Sequence, residues 1–188
     1  MRDLDVLLEH LSGEVEALGD DAPAGRKILR TLERDRRKAR RALLAALDSD
    51  RYFALLDALE RPMATIAEEP SLDEIHAAEH RRLRKAVRAL GPDSPDDDLH
   101  AARIKVKRAR YAAELSGAGA YVKAAKSLQD VLGEHQDAVV AGERLRALAG
   151  RQPAGAVAAG RLVEREQARA ARARAEWEAA WKRLAKTT

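Results

Sequence analysis

The stretch Leu99-His100-Ala101-Ala102-Arg103-Ile104-Lys105-Val106-Lys107-Arg108-Ala109-Arg110-Tyr111-Ala112-Ala113-Glu114 decides the fold. Leu99, Ala102, Val106, Ala109 and Ala113 recur at steps of three and four, which is the apolar face of a helix and not the alternation of a strand. One position aside, His100, Arg103, Lys107 and Arg110 follow the same spacing. They give the helix a stripe of groups that are cationic or become so on protonation, bordering its packing face. Like charges at such spacing repel by about 0.2–0.5 kcal/mol per pair, so the stripe calls for an anion.

An earlier segment repeats the arrangement. Lys27, Arg30, Arg34, Arg37 and Arg41 share one helical face with no acid among them. Their four neighbouring pairs oppose helix formation by roughly 1–2 kcal/mol. From Arg26 to Arg41, nine basic residues face only Glu33 and Asp35. Two such helices imply a basic groove, with Arg forks and Lys ammoniums on successive anionic groups. A solvated basic face is the alternative, and Arg36, Lys38 and Arg40 show that cations also occupy other sides of the earlier segment. Arg81, Arg84, Lys85 and Arg88 read as plain solvated surface.

The 188 residues suffice for one large helical domain or two small ones. The 35 basic and 31 acidic side chains nearly cancel to a net +4, so the separation of charge along the chain matters more than its sum. Aromatic residues are only 3% of the chain, leaving few platforms on which the bases of a single-stranded nucleic acid could stack. With no cysteine, disulfides and Cys-ligated metal sites are excluded. No signal peptide precedes the amphipathic N-terminal segment, and no apolar run reaches the roughly 18 residues of a membrane span. A cytoplasmic protein is expected.

Helical periodicity persists outward from the opening stretch, in Leu4, Leu7, Leu8, Leu11, Val15 and Leu18 and again in Leu72, Ile75, Leu83, Val87 and Leu90. Breakers at Gly19 to Gly25 with Pro23, Arg61-Pro62, Glu69-Pro70-Ser71, Gly91 to Pro95, Gly117-Ala118-Gly119 and Gly150 to Gly155 divide the chain into about seven helices. Ser71 and Glu74 form a capping box, and Asp96 to Asp98 place acid at the start of the His100 helix. Asp3, Val6, Glu9 and Leu11 match Asp137, Val140, Glu143 and Leu145, a repeat at 134 residues. The first copy lacks two helices that precede the second. The Ala- and Arg-rich stretch from 154 to 186 retains Leu162, Trp177, Trp181 and Leu184 and reads as a closing helix, with both tryptophans in the core or at an interface.

Enzyme signatures are missing: there is no Walker loop, nucleophile elbow or thiol nucleophile. His76-Ala77-Ala78-Glu79-His80 matches the short H-x-x-E-H pattern. Of the acids nearby, Glu68, Glu69 and Glu74, none has the setting of a third ligand, so no metal and no cofactor is expected. His10 and His135 read as surface or helix-end residues.

Residues 99–114 resemble the signature helix of the conserved histidine α-helical domain, the CHAD family. Leu128-Gln129-Asp130-Val131-Leu132-Gly133-Glu134-His135-Gln136-Asp137 resembles the segment that follows it, in which a helix ends at the glycine and a new one begins near the Asp. Arg2-Asp3-Leu4-Asp5-Val6-Leu7-Leu8 resembles that same segment in the family's first repeat. The resemblance implies two pseudo-symmetric helical bundles around a basic channel that binds inorganic polyphosphate without catalysis. It makes His100, Arg103, Lys107 and Arg110 anion-facing, sets Arg34, Arg37 and Arg41 on a basic helix before Arg51-Tyr52-Phe53, and adds Lys123 and Lys126. The family's first signature helix has no counterpart here, as in a truncated or shortened version with half a channel.

The reading is therefore an all-α domain over 1–188, with residues 1–90 the remainder of a first repeat and 91–188 the second. Its expected function is non-catalytic polyphosphate binding in the cytoplasm, including at polyphosphate granules. Association with nucleic acid and an accessory role to a phosphate-processing enzyme are the alternatives. A homodimer through the apolar face left by the missing helices is also expected.

Overall fold

Apolar residues at helical spacing become seven α-helices in a computed structural model that describes residues 2–60, 70–151 and 155–187. They are α1 (Arg2–Glu16), α2 (Ala22–Leu47), α3 (Asp50–Leu59), α4 (Leu72–Arg88), α5 (Asp96–Leu115), α6 (Gly119–Ala149) and α7 (Ala156–Leu184). There is no strand among the described residues, so the fold is all-α as expected. The expected breaks at Arg61-Pro62 and Pro153, and the acids Glu68 and Glu69, lie outside the described residues.

The helix boundaries follow from local chemistry. Gly19 breaks the chain after α1 by taking φ +63°, a left-handed conformation that glycine adopts without steric cost. Pro23 and Gly25, expected within that break, instead lie in the first turns of α2, where proline's missing N–H is harmless. Gly25 is there for close packing, since a Cβ would lie 2.8 Å from Val15 Cγ1. Ser71 and Glu74 do form the capping box, with Ser71 N–H donating to Glu74 Oε2 at 2.8 Å and Glu74 N–H to Ser71 Oγ at 3.2 Å. At the end of α5, Gly117 takes φ +76° and the Ala118 N–H reaches back to the Ala113 carbonyl at 3.0 Å, closing a Schellman turn.

The helices form two compact units, residues 1–67 with 144–163 and residues 68–143 with 164–188. In the first unit α1 packs on α2, and Leu11, Val15, Leu18, Ile28, Leu32, Leu145 and Leu162 are buried. Arg161 fastens α7 there, donating to the Leu18 carbonyl at 2.9 Å and to Asp21 Oδ2 at 2.6 Å. Packing stops abruptly along α2. From Glu33 to Leu47 no residue is buried, and Leu43, Leu44, Leu47, Phe53, Leu55, Leu56 and Leu59 on α2 and α3 are all exposed.

In the second unit α4, which precedes residue 90, packs on α5. Leu83, Val87, Leu99, Ala102, Val106, Ala109, Ala113, Tyr121, Leu128, Trp177 and Leu184 share its core. Trp181 is packed against that core, in agreement with the expected role of the closing helix. One ion pair lies within α7: Glu166, 1% exposed, accepts from the half-buried Arg169 at 3.0 Å, and Arg169 also donates to Glu134 of α6. Those two carboxylates hold the guanidinium strongly in its charged form, their hydrogen bonds outweighing burial.

Candidate anion-binding site

The apolar face of α5 sits in the core, and that placement sets the stripe beside it at the core's edge. His100, Arg103, Lys107 and Arg110 are all half-buried, neither sunk in the core nor freely solvated. Arg103 lies against α6 at Gly133, where a Cβ would come within 3.4 Å of its Nε and 3.7 Å of a terminal guanidinium nitrogen. Arg103 Nε is buried without a hydrogen-bond partner among the described residues, and so is His100 Nδ1. Neither Arg103 nor Lys107 forms an ion pair with a described residue.

Gly133 stands inside α6, which runs unbroken from Gly119 to Ala149. This corrects the expectation that a helix ends at Gly133 and another starts near Asp137. A helix-interior glycine costs about 1 kcal/mol relative to alanine. Here the missing side chain makes room for Arg103, so the residue that looked like a breaker is part of the candidate site.

Arg110 differs from its neighbours on the stripe. Its side chain is 18% exposed; Nε donates to Gln129 Oε1 of α6 at 3.0 Å, and a terminal nitrogen pairs with Glu114 at 2.5 Å. Its guanidinium also lies 4.5 Å over the exposed Tyr111 ring. The stripe therefore has two unneutralised permanent cations, Arg103 and Lys107, with Arg110 partly compensated. Of the two residues added from α6, Lys126 is paired with Asp130 at 2.6 Å, whereas Lys123 is exposed and forms no ion pair among the described residues.

The earlier stripe belongs to the other compact unit. Lys27, Arg30, Arg34, Arg37 and Arg41 are exposed along one side of α2. Lys27, Arg30, Arg34 and Arg37 line a surface depression of about 540 Å³ with Thr31 and Glu33. Arg34 donates to Thr31 Oγ1 at 2.9 Å, while the flanking cations Arg26 and Arg36 are paired with Glu16 and Asp5 of α1. Two cations off the stripe thus have acidic partners, whereas Lys38 and Arg40, also off it, and the five cations on it form no ion pair among the described residues.

His135 corrects another expectation. It is 2% exposed, inside α6, with Nε2 3.2 Å from Asp96 Oδ1. Burial holds it below the ordinary imidazole range; Asp96 pulls the other way but is itself neutralised by Arg174 at 2.9 Å. The sequence signal was the run Asp96 to Asp98, which reads as helix capping and also supplies this partner.

Glu79 of the H-x-x-E-H pattern does not join the two histidines. It is 7% exposed and bound by Arg82 and by Arg108, whose Nε lies at 3.5 Å. No group of residues able to hold a metal ion occurs among the described residues.

Comparison with known proteins places this architecture. Residues 1–146 match the CHAD domain family. The chain belongs to that family. Two proteins of Mycobacterium tuberculosis, called uncharacterized protein MT2285 (strain CDC 1551 / Oshkosh) and uncharacterized protein Rv2226 (strain ATCC 25618 / H37Rv), are 40% identical to this CHAD domain over 159 residues. The match takes in 77% of the chain and 31% of each relative, so the chain spans about a third of their length. Among solved structures, PptA from Streptomyces chartreusis is 27% identical with a TM-score of 0.79, covering 96% of this chain and 73% of that one. The CHAD domain from the plant Ricinus communis is 28% identical with a TM-score of 0.77, covering 97% and 66%.

Proposed function

We propose that this CHAD domain binds inorganic polyphosphate along the cationic stripe of α5, without acting on it chemically. The observation that carries the reading is Arg103, seated on Gly133 with its Nε buried and unpartnered, beside Lys107 with no acid to neutralise it. Burying a guanidinium N–H without an acceptor is costly, and an anionic oxygen drawn in beside Gly133 removes that cost. A phosphate chain offers such oxygens on every phosphate, and phosphates spaced along one chain can meet successive turns of the stripe. Membership of the CHAD family supports the same ligand class. The exposed row on α2 is a second basic surface suited to a polyanion.

A nucleic acid is the competing polyanion. Its readers stack bases on aromatic shelves, and the exposed aromatic ring beside the α5 stripe, Tyr111, already has the Arg110 guanidinium over it. Competition of long-chain polyphosphate against DNA and RNA at matched phosphate concentration tests the choice. The expected result is that polyphosphate displaces both nucleic acids. If DNA or RNA displaces polyphosphate, the domain is a nucleic-acid binder. Phosphate released over time in the presence of magnesium would show instead that the domain acts on its ligand.

A further inference from the structure

The two histidines of the H-x-x-E-H pattern, left without a metal role, line a pocket of about 510 Å³ in the second unit. His76, His80, Arg81 and Arg84 of α4 contribute to its wall, with Tyr121 of α6 and Thr187 near the end of the chain. None of the stripe residues lines it. Arg81 and Arg84, which the sequence marks as plain surface, therefore edge a cavity. We propose that this pocket is a separate site for a phosphate group, carried by a small organic phosphomonoester.

The donor pattern on its wall favours this class. Arg81 and Arg84 stand three residues apart on one helix, so their guanidiniums are neighbours able to share one doubly charged tetrahedral anion. Neither forms an ion pair with a described residue. Tyr121 is 2% exposed, and burial keeps its phenol protonated. A buried hydroxyl needs an acceptor, which is His80 Nδ1 at 3.0 Å. That bond leaves the His80 ring proton on Nε2, as a donor, and stacking on Trp181 steadies the ring.

His76 completes the wall, its Nδ1 3.3 Å from Ser116 Oγ and its ring edge-on to Tyr121. A phosphomonoester near neutral pH offers P–O⁻ oxygens for the arginines and for the His80 N–H. Asp73 also lines the pocket and opposes an anion, but two guanidiniums outweigh its one charge. The volume exceeds that of phosphate alone, leaving room for a small organic group beside Ala77, Ala118, Ala120 and the Tyr121 ring.

Isothermal titration of the whole chain with glycerol 3-phosphate, and separately with inorganic phosphate, tests this. Both probes should bind saturably, the ester more tightly, and the ring protons of His80 should shift in NMR spectra. Arg81→Ala with Arg84→Ala, two exposed positions, should weaken both probes at least about tenfold, while Arg103→Ala with Lys107→Ala leaves them unchanged. Absence of saturable binding overturns the proposal. So does binding that survives loss of Arg81 and Arg84, or that falls only with Arg103 and Lys107. Inorganic phosphate binding as tightly as the ester overturns the organic part of the assignment. None of these outcomes depends on polyphosphate binding at α5, which has its own variants.

Discussion

Removing Arg103 and Lys107 together should change how polyphosphate binding responds to salt, not merely weaken it. Each phosphate contact with a cation releases condensed counterions, and for a single-stranded polyanion the slope of log K against log salt falls by about 0.7 per contact. Arg103 and Lys107 are the two permanent cations of the α5 stripe with no carboxylate to neutralise them, so Arg103→Ala with Lys107→Ala should make the slope shallower by about 1.4. Between 50 and 200 mM salt, a fourfold change, that difference amounts to about a sevenfold smaller loss of affinity. Arg110→Ala should move the slope by less than a full contact, because Glu114 already offsets that guanidinium at 2.5 Å. The assay is fluorescence anisotropy of labelled long-chain polyphosphate across a potassium chloride series, with helicity followed by circular dichroism. Lines parallel to the parent protein's, in a variant of unchanged helicity, would show that neither cation contacts the polyphosphate.

Three other outcomes follow from the packing. Arg169→Met removes the guanidinium shared by Glu166, 1% exposed, and Glu134, and should destabilise the fold by about 3 kcal/mol in urea unfolding; a loss below about 1 kcal/mol would show that these pairs are not needed. Burial holds His80 and His135 below their unfolded value of 6.5, so the unfolded chain takes up protons first as the pH falls. Stability is thus full above about pH 6.5 and is lost as the pH drops through the unfolded value. Melting temperature should decline from pH 7 to pH 5, less steeply in His135→Gln, and an unchanged slope in that variant would remove His135 from the account. The exposed row from Leu43 to Leu59 should support self-association, seen by sedimentation velocity as a dimer that Leu44→Asp with Leu55→Asp converts to monomer; a parent protein that sediments as a monomer would contradict it.

The fold was legible because its signals are local. Apolar spacing in Leu4 to Leu18 and Leu99 to Ala113 sets the helix faces, the Ser71–Glu74 box sets the start of α4, and a left-handed glycine follows α1 and α5. The cationic face of α5 was legible for the same reason. Gly133 and His135 were not, because their roles are tertiary. A glycine inside a helical pattern reads as a stop until Arg103 of another helix is found lying on it. A histidine in a polar run reads as surface until Asp96, far away in sequence, is found beside it. Gly25 misleads likewise, marking the close approach of Val15 and not a loop. The pocket at His76 and His80 joins α4, α6 and the end of the chain, which no single window of sequence contains.

Arg103 is where the account is most exposed. In protein labelled with ¹⁵N at arginine, the Nε–Hε resonance of Arg103, assigned by its disappearance in Arg103→Lys, should shift saturably as long-chain polyphosphate is added at moderate salt, because a buried and unpartnered N–H gains an anionic acceptor. A resonance that stays in place while polyphosphate binds would mean that the α5 stripe does not hold the ligand.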